Sequence, residues 1–147
     1  MMKVIMYLID TNVISELRKK TRANSGVNAF FKQANKEKSA LFLSVITVGE
    51  LRRGVDMISH RGDLSQSNKL AAWLDILLNE YADSILDFTA AEAQLWGRLR
   101  VPHPHNAIDK QIAATALIYD LTLVTRNVKD FAGLGVELIN PFSEVQR

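Results

Sequence analysis

Short apolar segments alternate with longer amphipathic segments along this chain. The first apolar segment runs without interruption from Val4 to Ile9, which is typical of a central parallel strand buried on both faces. Similar short segments bounded by polar residues predict the other strands. The predicted strands are 4–9, 41–45, 84–88, 121–125 and 136–139.

The amphipathic segments predict helices. In 69–81, apolar residues recur at positions 70, 73, 74, 77, 78 and 81, which form one face of a helix. Thr47 and Thr89 are the expected N-caps of two further helices, since a threonine hydroxyl accepts from a free N–H of the first turn. Residues 59–68 are polar and predict a loop, and two prolines exclude a helix at 101–106. The predicted helices are 12–20, 27–35, 47–58, 69–81, 89–100 and 106–119.

The alternation of strands and helices predicts a layered α/β domain with a mostly parallel sheet. The 147 residues fit one domain, and because no linker-like stretch interrupts them we expect a single domain over 1–147. Apolar residues make up 48% and charged residues 23%, so the composition is that of a folded protein. The longest apolar run, 4–9, is far shorter than the roughly 20 residues of a membrane span. We therefore expect no membrane partner and a cytoplasmic location.

Charge and cysteine content narrow the chemistry. The chain has no cysteine, which excludes disulfides, thiolate metal sites and cysteine nucleophiles. Its net charge is +2, but residues 1–39 hold eight Lys or Arg against three acids, with a cluster at 18–22. Such a cluster can attract nucleic acid. Charge alone favours the simpler interpretation, a solvated helix end.

Polar residues follow several predicted strands. In open parallel sheets, ligands bind beyond the carboxyl ends of the strands, so these residues are the candidates for a site. They are Asp10 and Asn12 after the first strand, Glu50 one helical turn beyond the second, Asp109 at the start of helix 106–119, and Thr125, Arg126, Asn127 and Asp130 at and beyond the end of strand 121–125.

Each acid also has a structural explanation when it is taken singly. Helix capping explains Asp10, and a capping box with Thr47 explains Glu50. A looser capping box at 106–109 explains Asp109, and a solvated surface position explains Asp130. Taken together the acids favour a function, because clustered carboxylates repel each other and raise each other's pKa unless something compensates. Oxygen ligands without cysteine suit Mg²⁺ or Mn²⁺, ions that typically serve phosphate chemistry.

Four blocks of the sequence resemble a known family in both order and spacing. They are LIDTNVISEL at 8–17, SVITVGELRRG at 44–54, NAIDKQIAATA at 106–116 and LVTRNVKDF at 123–131. They resemble the PIN-domain ribonucleases, and among these the VapC-type toxins of the FitB-like branch. The terminal LINPF at 138–142 is similar to that branch as well.

The resemblance implies a PIN-like three-layer fold, with a five-stranded parallel sheet between helices and acids arranged around Mg²⁺ or Mn²⁺. It implies cleavage of single-stranded RNA that leaves a 5′-phosphate and a 3′-hydroxyl. It also implies a homodimer held in a larger toxin–antitoxin complex by a VapB-like antitoxin that blocks the site. The alternative from another functional class is a catalytically silent PIN-like module that binds nucleic acid or protein. The three matching acids argue against that alternative.

Site residues follow from the resemblance motif by motif. Asp10, Glu50 and Asp109 correspond to the acidic core, with Asp10 and Asp109 as metal ligands. Relatives often carry the fourth acid where this chain has Asn127, and Asp130 is the nearby alternative used in some members. Supporting roles are implied for Asn12 and Thr125, which we expect to hydrogen-bond the cluster or its waters, and for Arg126 and Asn127.

Overall fold

The computed structural model describes residues 4–144, and within them five strands form one sheet. Each strand is short, and the two at the sheet edges have two residues apiece. The strands are β1 Met6–Ile9, β2 Ala40–Ser44, β3 Ile85–Leu86, β4 Thr122–Val124 and β5 Leu138–Ile139.

Helices connect these strands and cover the sheet. The α-helices of residues 4–144 are α1 Thr11–Ile14, α2 Ser25–Lys36, α3 Val45–His60, α4 Leu64–Glu80, α5 Ala90–Leu99, α6 Ala107–Ile118 and α7 Val128–Phe131. Two 3₁₀ segments, Ser15–Arg22 and Ala82–Ser84, accompany them.

The strand order is β3-β2-β1-β4-β5, and all four strand pairs are parallel. The chain builds one half of the sheet outward from β1 and then returns to build the other half from β4. In open parallel sheets, such a reversal opens a crevice at the carboxyl ends of the two strands where it occurs. The topology therefore places the crevice where β1 ends at Ile9 and β4 ends at Val124, and the predicted α/β fold with a parallel sheet is confirmed.

Two apolar clusters hold the helices on the sheet, one on each face. Successive residues of a strand point to opposite faces, so Leu8 packs with Ile112 and Leu123 while Ile9 packs with Val27 and other residues of the opposite cluster. Leu8 and Ile9 are both 0% exposed. Burial of a side chain of this size contributes about 1.5–3 kcal/mol. The burial of both confirms a three-layer arrangement.

The predicted loop at 59–68 was wrong. Helix α3 continues to His60, and α4 begins at Leu64 after a short turn that includes Gly62 with φ +95°. The side chain of Asp63 caps α4 by accepting from the backbone N–H of Gln66. The polar residues that indicated a loop are the end of α3, the turn at 61–63 and the start of α4, and the cap that starts α4 was the overlooked signal.

The start of the chain also differs from its prediction. The helix expected at 12–20 is α1 followed by the 3₁₀ segment, in which Lys20 has the non-helical angles φ 55° and ψ −122°. The first strand is shorter than predicted and begins at Met6. Val4 and Ile5 are 75% and 48% exposed rather than buried.

Within residues 4–144, none of the helices has the length and apolarity that crossing a membrane requires. The single domain over 1–147 and the cytoplasmic location stay predictions.

Candidate active site

Asp10 stands at the carboxyl end of β1, on the crevice. Its backbone N–H donates to the Val124 carbonyl at 2.9 Å, and its Oδ1 accepts from the backbone N–H of Thr11 at 2.8 Å, which caps α1. The residue is 5% exposed. The capping role is therefore real, and it fixes a buried carboxylate at the edge of the sheet.

The second oxygen of Asp10 is held from β4. Thr125 Oγ1 donates to Asp10 Oδ2 at 2.8 Å, and Asn12 Nδ2 approaches the same oxygen at 3.3 Å. The Thr125 hydroxyl in turn accepts from the backbone N–H of Asn127 at 3.0 Å, while Asn12 Oδ1 accepts from the backbone N–H of Arg126 at 3.1 Å. The hydrogen bonds expected from Asn12 and Thr125 to the acids are present. The bond from Thr125 to Asp10 and the bond from Arg126 to Asn12 join the ends of β1 and β4.

Burial dominates the electrostatics of Asp10. It raises the pKa of this carboxyl above its ordinary value because the charged form loses its hydration. The hydrogen bonds from Thr125, Thr11 and Asn12 favour the charged form and oppose that rise, whereas the charge of Asp130 adds to it. Asp10 is thus a carboxylate whose charge is only partly compensated by the protein.

Asp109 lies in the first turn of α6 and faces the other acids. Burial raises its pKa to about 6, and the negative charges of Asp10, Asp130 and Glu50 contribute to this rise in that order. The pKa of Asp109 therefore responds to all three of the other predicted acids. The fold brings together residues from four separate segments into one electrostatic cluster, here called the acid cluster: Asp10, Glu50, Asp109 and Asp130.

The capping explanation for Glu50 was wrong. Helix α3 starts at Val45 with Ser44 as its N-cap, because the Ser44 hydroxyl accepts from the backbone N–H of Ile46. Thr47 was expected to be this cap; instead it is fully buried, and its hydroxyl lies 3.3 Å from that of Thr11. Glu50 is half-buried in the second turn, on the side of α3 that meets the acid cluster.

The looser box at 106–109 is not formed either. Asn106 has a left-handed backbone, with φ 56° and ψ 45°, and its side chain makes no capping hydrogen bond to α6. Helix capping therefore does not account for Asp109.

Residues 125–130 border the acid cluster. Asp130 is exposed in the first turn of α7, and Asn127, which is also exposed, precedes that helix. The backbone N–H of Asp130 donates to the Asn127 carbonyl at 3.0 Å. The Arg126 guanidinium lies over the Phe142 ring, 4.6 Å from its centroid, so its side chain packs on the terminal segment.

The donor set fits a hard divalent cation. Every candidate ligand is a carboxylate, hydroxyl or amide oxygen, as Mg²⁺ and Mn²⁺ prefer, and the chain contains no cysteine. Burial and then the neighbouring negative charges raise the pKa of Asp109, and a bound cation would offset both effects. Among residues 4–144, no three His, Asp or Glu side chains lie close enough to hold a metal ion. The acid cluster is therefore a concentration of charge, and its carboxylates would have to draw closer around an ion.

Two cavities flank the acid cluster. The first, of about 270 Å³, lies between α1, α3 and α4 and is mainly apolar; we call it the apolar groove. It is lined by Thr11, Ser15, Arg18, Glu50, Leu51, Gly54, Val55, Ile58, Gln66, Leu70 and Trp73. The second, of about 420 Å³, lies beside Asp130. Glu50 and Asp130 thus place the acid cluster between two cavities of different character.

Three residues at the site have roles that the sequence did not predict. The hydroxyl of Thr11 contacts that of Thr47, which was expected only as a helix cap, and hydroxyls of this kind carry no motif of their own beyond Asp10-Thr-Asn12. Lys110 follows Asp109 directly and is only 4% exposed. A lysine on the buried side of an otherwise apolar helix was the available signal, since lysine is rarely buried without a partner.

The sequence of this chain matches a known domain family and several known proteins over most of its length. The sequence profile of the PIN domain matches residues 7–135, a range that contains all four motif blocks. Toxin FitB of Neisseria gonorrhoeae is 34% identical over 145 residues, covering 95% of this chain and 100% of FitB. The VapC ribonuclease Y4jK of Sinorhizobium fredii is 31% identical over 140 residues, covering 93% of this chain and 98% of that protein.

Solved structures agree with these sequence matches. The crystal structure of FitAcB from Neisseria gonorrhoeae superposes with a TM-score of 0.80 at 34% identity, covering 92% of this chain and 98% of the other. A toxin-antitoxin complex from Klebsiella pneumoniae gives a TM-score of 0.59 at 25% identity, covering 94% and 99% of the two chains.

Proposed function

This chain belongs to the PIN-domain family, and we propose that it is a metal-dependent endoribonuclease acting as the toxin of a toxin–antitoxin pair. The observation that carries the proposal is the convergence of Asp10, Glu50, Asp109 and Asp130 at the carboxyl edge of the sheet. The printed names of its relatives, a toxin and a VapC ribonuclease, support both parts of it.

Asp10 and Asp109 are the proposed ligands of Mg²⁺ or Mn²⁺, with Glu50 and Asp130 completing the negative field. Thr125, Thr11 and, at a longer distance, Asn12 each occupy one lone-pair site of the Asp10 carboxylate. A carboxylate offers about four such sites, so Asp10 keeps acceptor capacity for a cation while its orientation stays fixed.

When bound, the ion would neutralise charge on the phosphoryl oxygens and lower the pKa of the water that attacks phosphorus. The bond from the water oxygen to phosphorus would form while the bond from phosphorus to the 3′-oxygen breaks on the opposite side. The water would lose a proton to solvent and the 3′-oxygen would take one from solvent, so the products would carry a 5′-phosphate and a 3′-hydroxyl. Burial and the charges of Asp10, Asp130 and Glu50 raise the pKa of Asp109 to about 6 in the metal-free protein, and a bound cation would favour the ionised form of this carboxyl. Three hydrogen bonds fix the orientation of the buried Asp10 carboxylate.

The proposed protein partner is a VapB-like antitoxin. A toxin–antitoxin complex is among the structures that this chain resembles, and the apolar groove beside Glu50 offers a place for an apolar helix or strand. An arginine of that segment would pair with the acid cluster, because the planar, charged guanidinium group matches the geometry of carboxylates. A homodimer within a larger toxin–antitoxin complex remains part of the proposal.

Cleavage of single-stranded RNA by the purified chain tests the function. We expect cleavage with Mg²⁺ or Mn²⁺ and none in excess EDTA, with 5′-phosphate ends detected by their ligation to an adaptor. Asp10→Asn should lose most activity, since it removes a ligand charge but keeps the shape, whereas Asp87→Asn, an exposed aspartate outside the acid cluster, should behave as wild type. Full activity in EDTA would refute the metal mechanism. RNA binding without any cleavage would favour the silent PIN-like module instead.

A further inference from the structure

The cavity beside Asp130 is lined by several cationic and titratable side chains, and apart from Asp130 the proposed chemistry does not use them. We call it the cationic cleft and define it by Arg98, His103, His105, Lys110, Lys129 and Asp130. Arg98 lies in the last turn of α5, Lys129 lies in α7, and the two histidines belong to the loop between α5 and α6. Arg98 of α5, Lys110 of α6 and Lys129 of α7 therefore bring positive charge from three helices to one cavity.

Lys110 forms a buried wall of the cationic cleft. The residue is 4% exposed, and its Nζ donates to the His103 carbonyl at 2.5 Å. A buried ammonium is costly unless it is paired, and a single carbonyl only partly offsets its charge. Because an ammonium has three donors, Lys110 can hold the 101–106 loop against α6 and still donate towards an anion in the cleft.

The cationic cleft and the acid cluster share one residue, Asp130. Asp130 lines the cleft, and its charge also raises the pKa of Asp109 and of Asp10. An RNA chain carries a negative charge on every phosphate. When the scissile phosphate of an RNA lies at the acid cluster, the carboxylates would repel the neighbouring phosphates strongly. Cations beside the acids would offset this repulsion.

We propose that the cationic cleft binds the phosphodiester backbone of the RNA substrate on one side of the scissile phosphate, with Arg98 and Lys129 contacting phosphate oxygens. This inference rests on the proposed ribonuclease function and assigns its substrate path. Lys110 is a positioning residue that fixes the loop carrying His103. The apolar groove, which meets the acid cluster at Glu50, has a single arginine, Arg18, in its lining and offers a much weaker backbone site.

The double variant Arg98→Gln/Lys129→Gln tests the cleft. Both side chains are exposed, so the fold should be kept, unlike in a change at buried Lys110. The matched control is Lys32→Gln/Lys36→Gln, which removes the same charge from exposed positions of α2. We expect the cleft variant to raise KM for a 12-nucleotide single-stranded RNA by about tenfold with little change in kcat, as loss of uniform binding does. The dependence of log KM on log salt should weaken by roughly 1.4, or 0.7 for each lost contact.

A scan of the substrate locates the contacts. In RNAs that each carry one neutral methylphosphonate linkage, one or two positions on a single side of the cleavage site should raise KM for wild type but not for the cleft variant. If the cleft variant matches its control, or if no position distinguishes it from wild type, the cleft proposal is wrong while the ribonuclease function stands. Unchanged RNA kinetics with weaker binding of an antitoxin would assign the cleft to the protein partner and also overturn the proposal. If wild type cuts no RNA, the proposed function fails and the cleft proposal fails with it.

Discussion

Thr125 Oγ1 donates a 2.8 Å hydrogen bond to Asp10 Oδ2 and so joins the ends of β4 and β1 directly at the crevice of the sheet. Both residues are buried, Thr125 completely. The bond orients the carboxylate and offsets part of the rise in the pKa of Asp10 that burial causes. One threonine hydroxyl thus supports both the stability of the sheet edge and the ionisation of the central acid.

Replacing Thr125 with valine should separate these effects. The shape is kept, but Asp10 loses a donor and the backbone N–H of Asn127 loses an acceptor. We expect the free energy of unfolding at pH 7.5 to fall by about 1–3 kcal/mol, the usual range for an unsatisfied buried group. The pKa of Asp10 should rise further, so the acid limb of RNA cleavage should move to higher pH.

Urea unfolding and a pH–rate profile measure the two effects. Thr122→Val is the control, because Thr122 is also buried in β4 but does not contact Asp10. The loss of stability should shrink as pH falls and Asp10 becomes protonated. A loss as large at pH 5 as at pH 7.5, with an unmoved acid limb, would show that the threonine acts through packing alone.

Asp109→Asn should stabilise the metal-free protein at neutral pH. The folded pKa of Asp109 is about 6, above the ordinary 3.8, so folding takes up a proton between these values. Stability therefore falls as pH rises from about 4 to about 6 and stays reduced above that range. Removing the carboxylate should restore about 1 kcal/mol at pH 7.5, after allowance for solvent screening at this half-buried position, and nothing near pH 3.5.

Thermal unfolding in EDTA measures this difference at the two pH values. Asp87→Asn, which changes an exposed aspartate outside the acid cluster, controls for the loss of one charge. Mg²⁺ should stabilise wild type more than Asp109→Asn, since binding to the folded state alone adds stability by mass action. A lower melting temperature for metal-free Asp109→Asn at pH 7.5 would show that the carboxylate stabilises α6 instead.

The parallel sheet could be predicted from the sequence because short apolar segments mark its strands, and Asp10 directly follows the first of them. Glu50, Asp109 and Asp130 lie near the starts of helices α3, α6 and α7, so their convergence with Asp10 was expected from the parallel topology and the motif blocks. The individual caps were less predictable, since Ser44 and Thr47 are both able to cap α3 and only the position where β2 stops decides between them. The cationic cleft was invisible, because Arg98, Lys110 and Lys129 are brought together by tertiary packing and share no motif.

The fourth position of the acid cluster can be resolved by two substitutions. Asp130 carries a charge that acts on Asp109 and Asp10, whereas Asn127 contributes its backbone N–H to Thr125. We therefore expect Asp130→Asn to weaken Mg²⁺ binding and slow cleavage by about tenfold or more, on the scale of a lost outer partner of a metal site. Asn127→Ala should have a smaller effect, because the backbone donor remains.

Magnesium titration of RNA cleavage distinguishes these variants. Asp130→Asn should need more Mg²⁺ for half-maximal activity, and excess Mg²⁺ should restore part of the rate. The control is Lys129→Gln at saturating RNA, which changes charge at the neighbouring position of α7 without removing a carboxylate. Wild-type behaviour of Asp130→Asn would exclude Asp130 and leave Asn127, Thr125 or water to complete the cluster.

Gly54 offers a test of the apolar groove as the antitoxin site. It lies in α3 and lines the groove, and a Cβ built at this position meets no heavy atom within 4 Å. Gly54→Leu should therefore fold normally and gain up to about 1 kcal/mol from better helix propensity.

The new side chain at position 54 would fill the groove, so inhibition by the antitoxin should weaken by at least about tenfold, a loss of roughly 1.4 kcal/mol in binding. The measurement is RNA cleavage against increasing concentrations of a VapB-like antitoxin that inhibits the wild type. Gly97→Leu is the control, since Gly97 is an equally open glycine in α5 outside the groove. Equal inhibition of both variants would place the antitoxin elsewhere, and loss of cleavage in Gly54→Leu alone would show that the groove holds RNA.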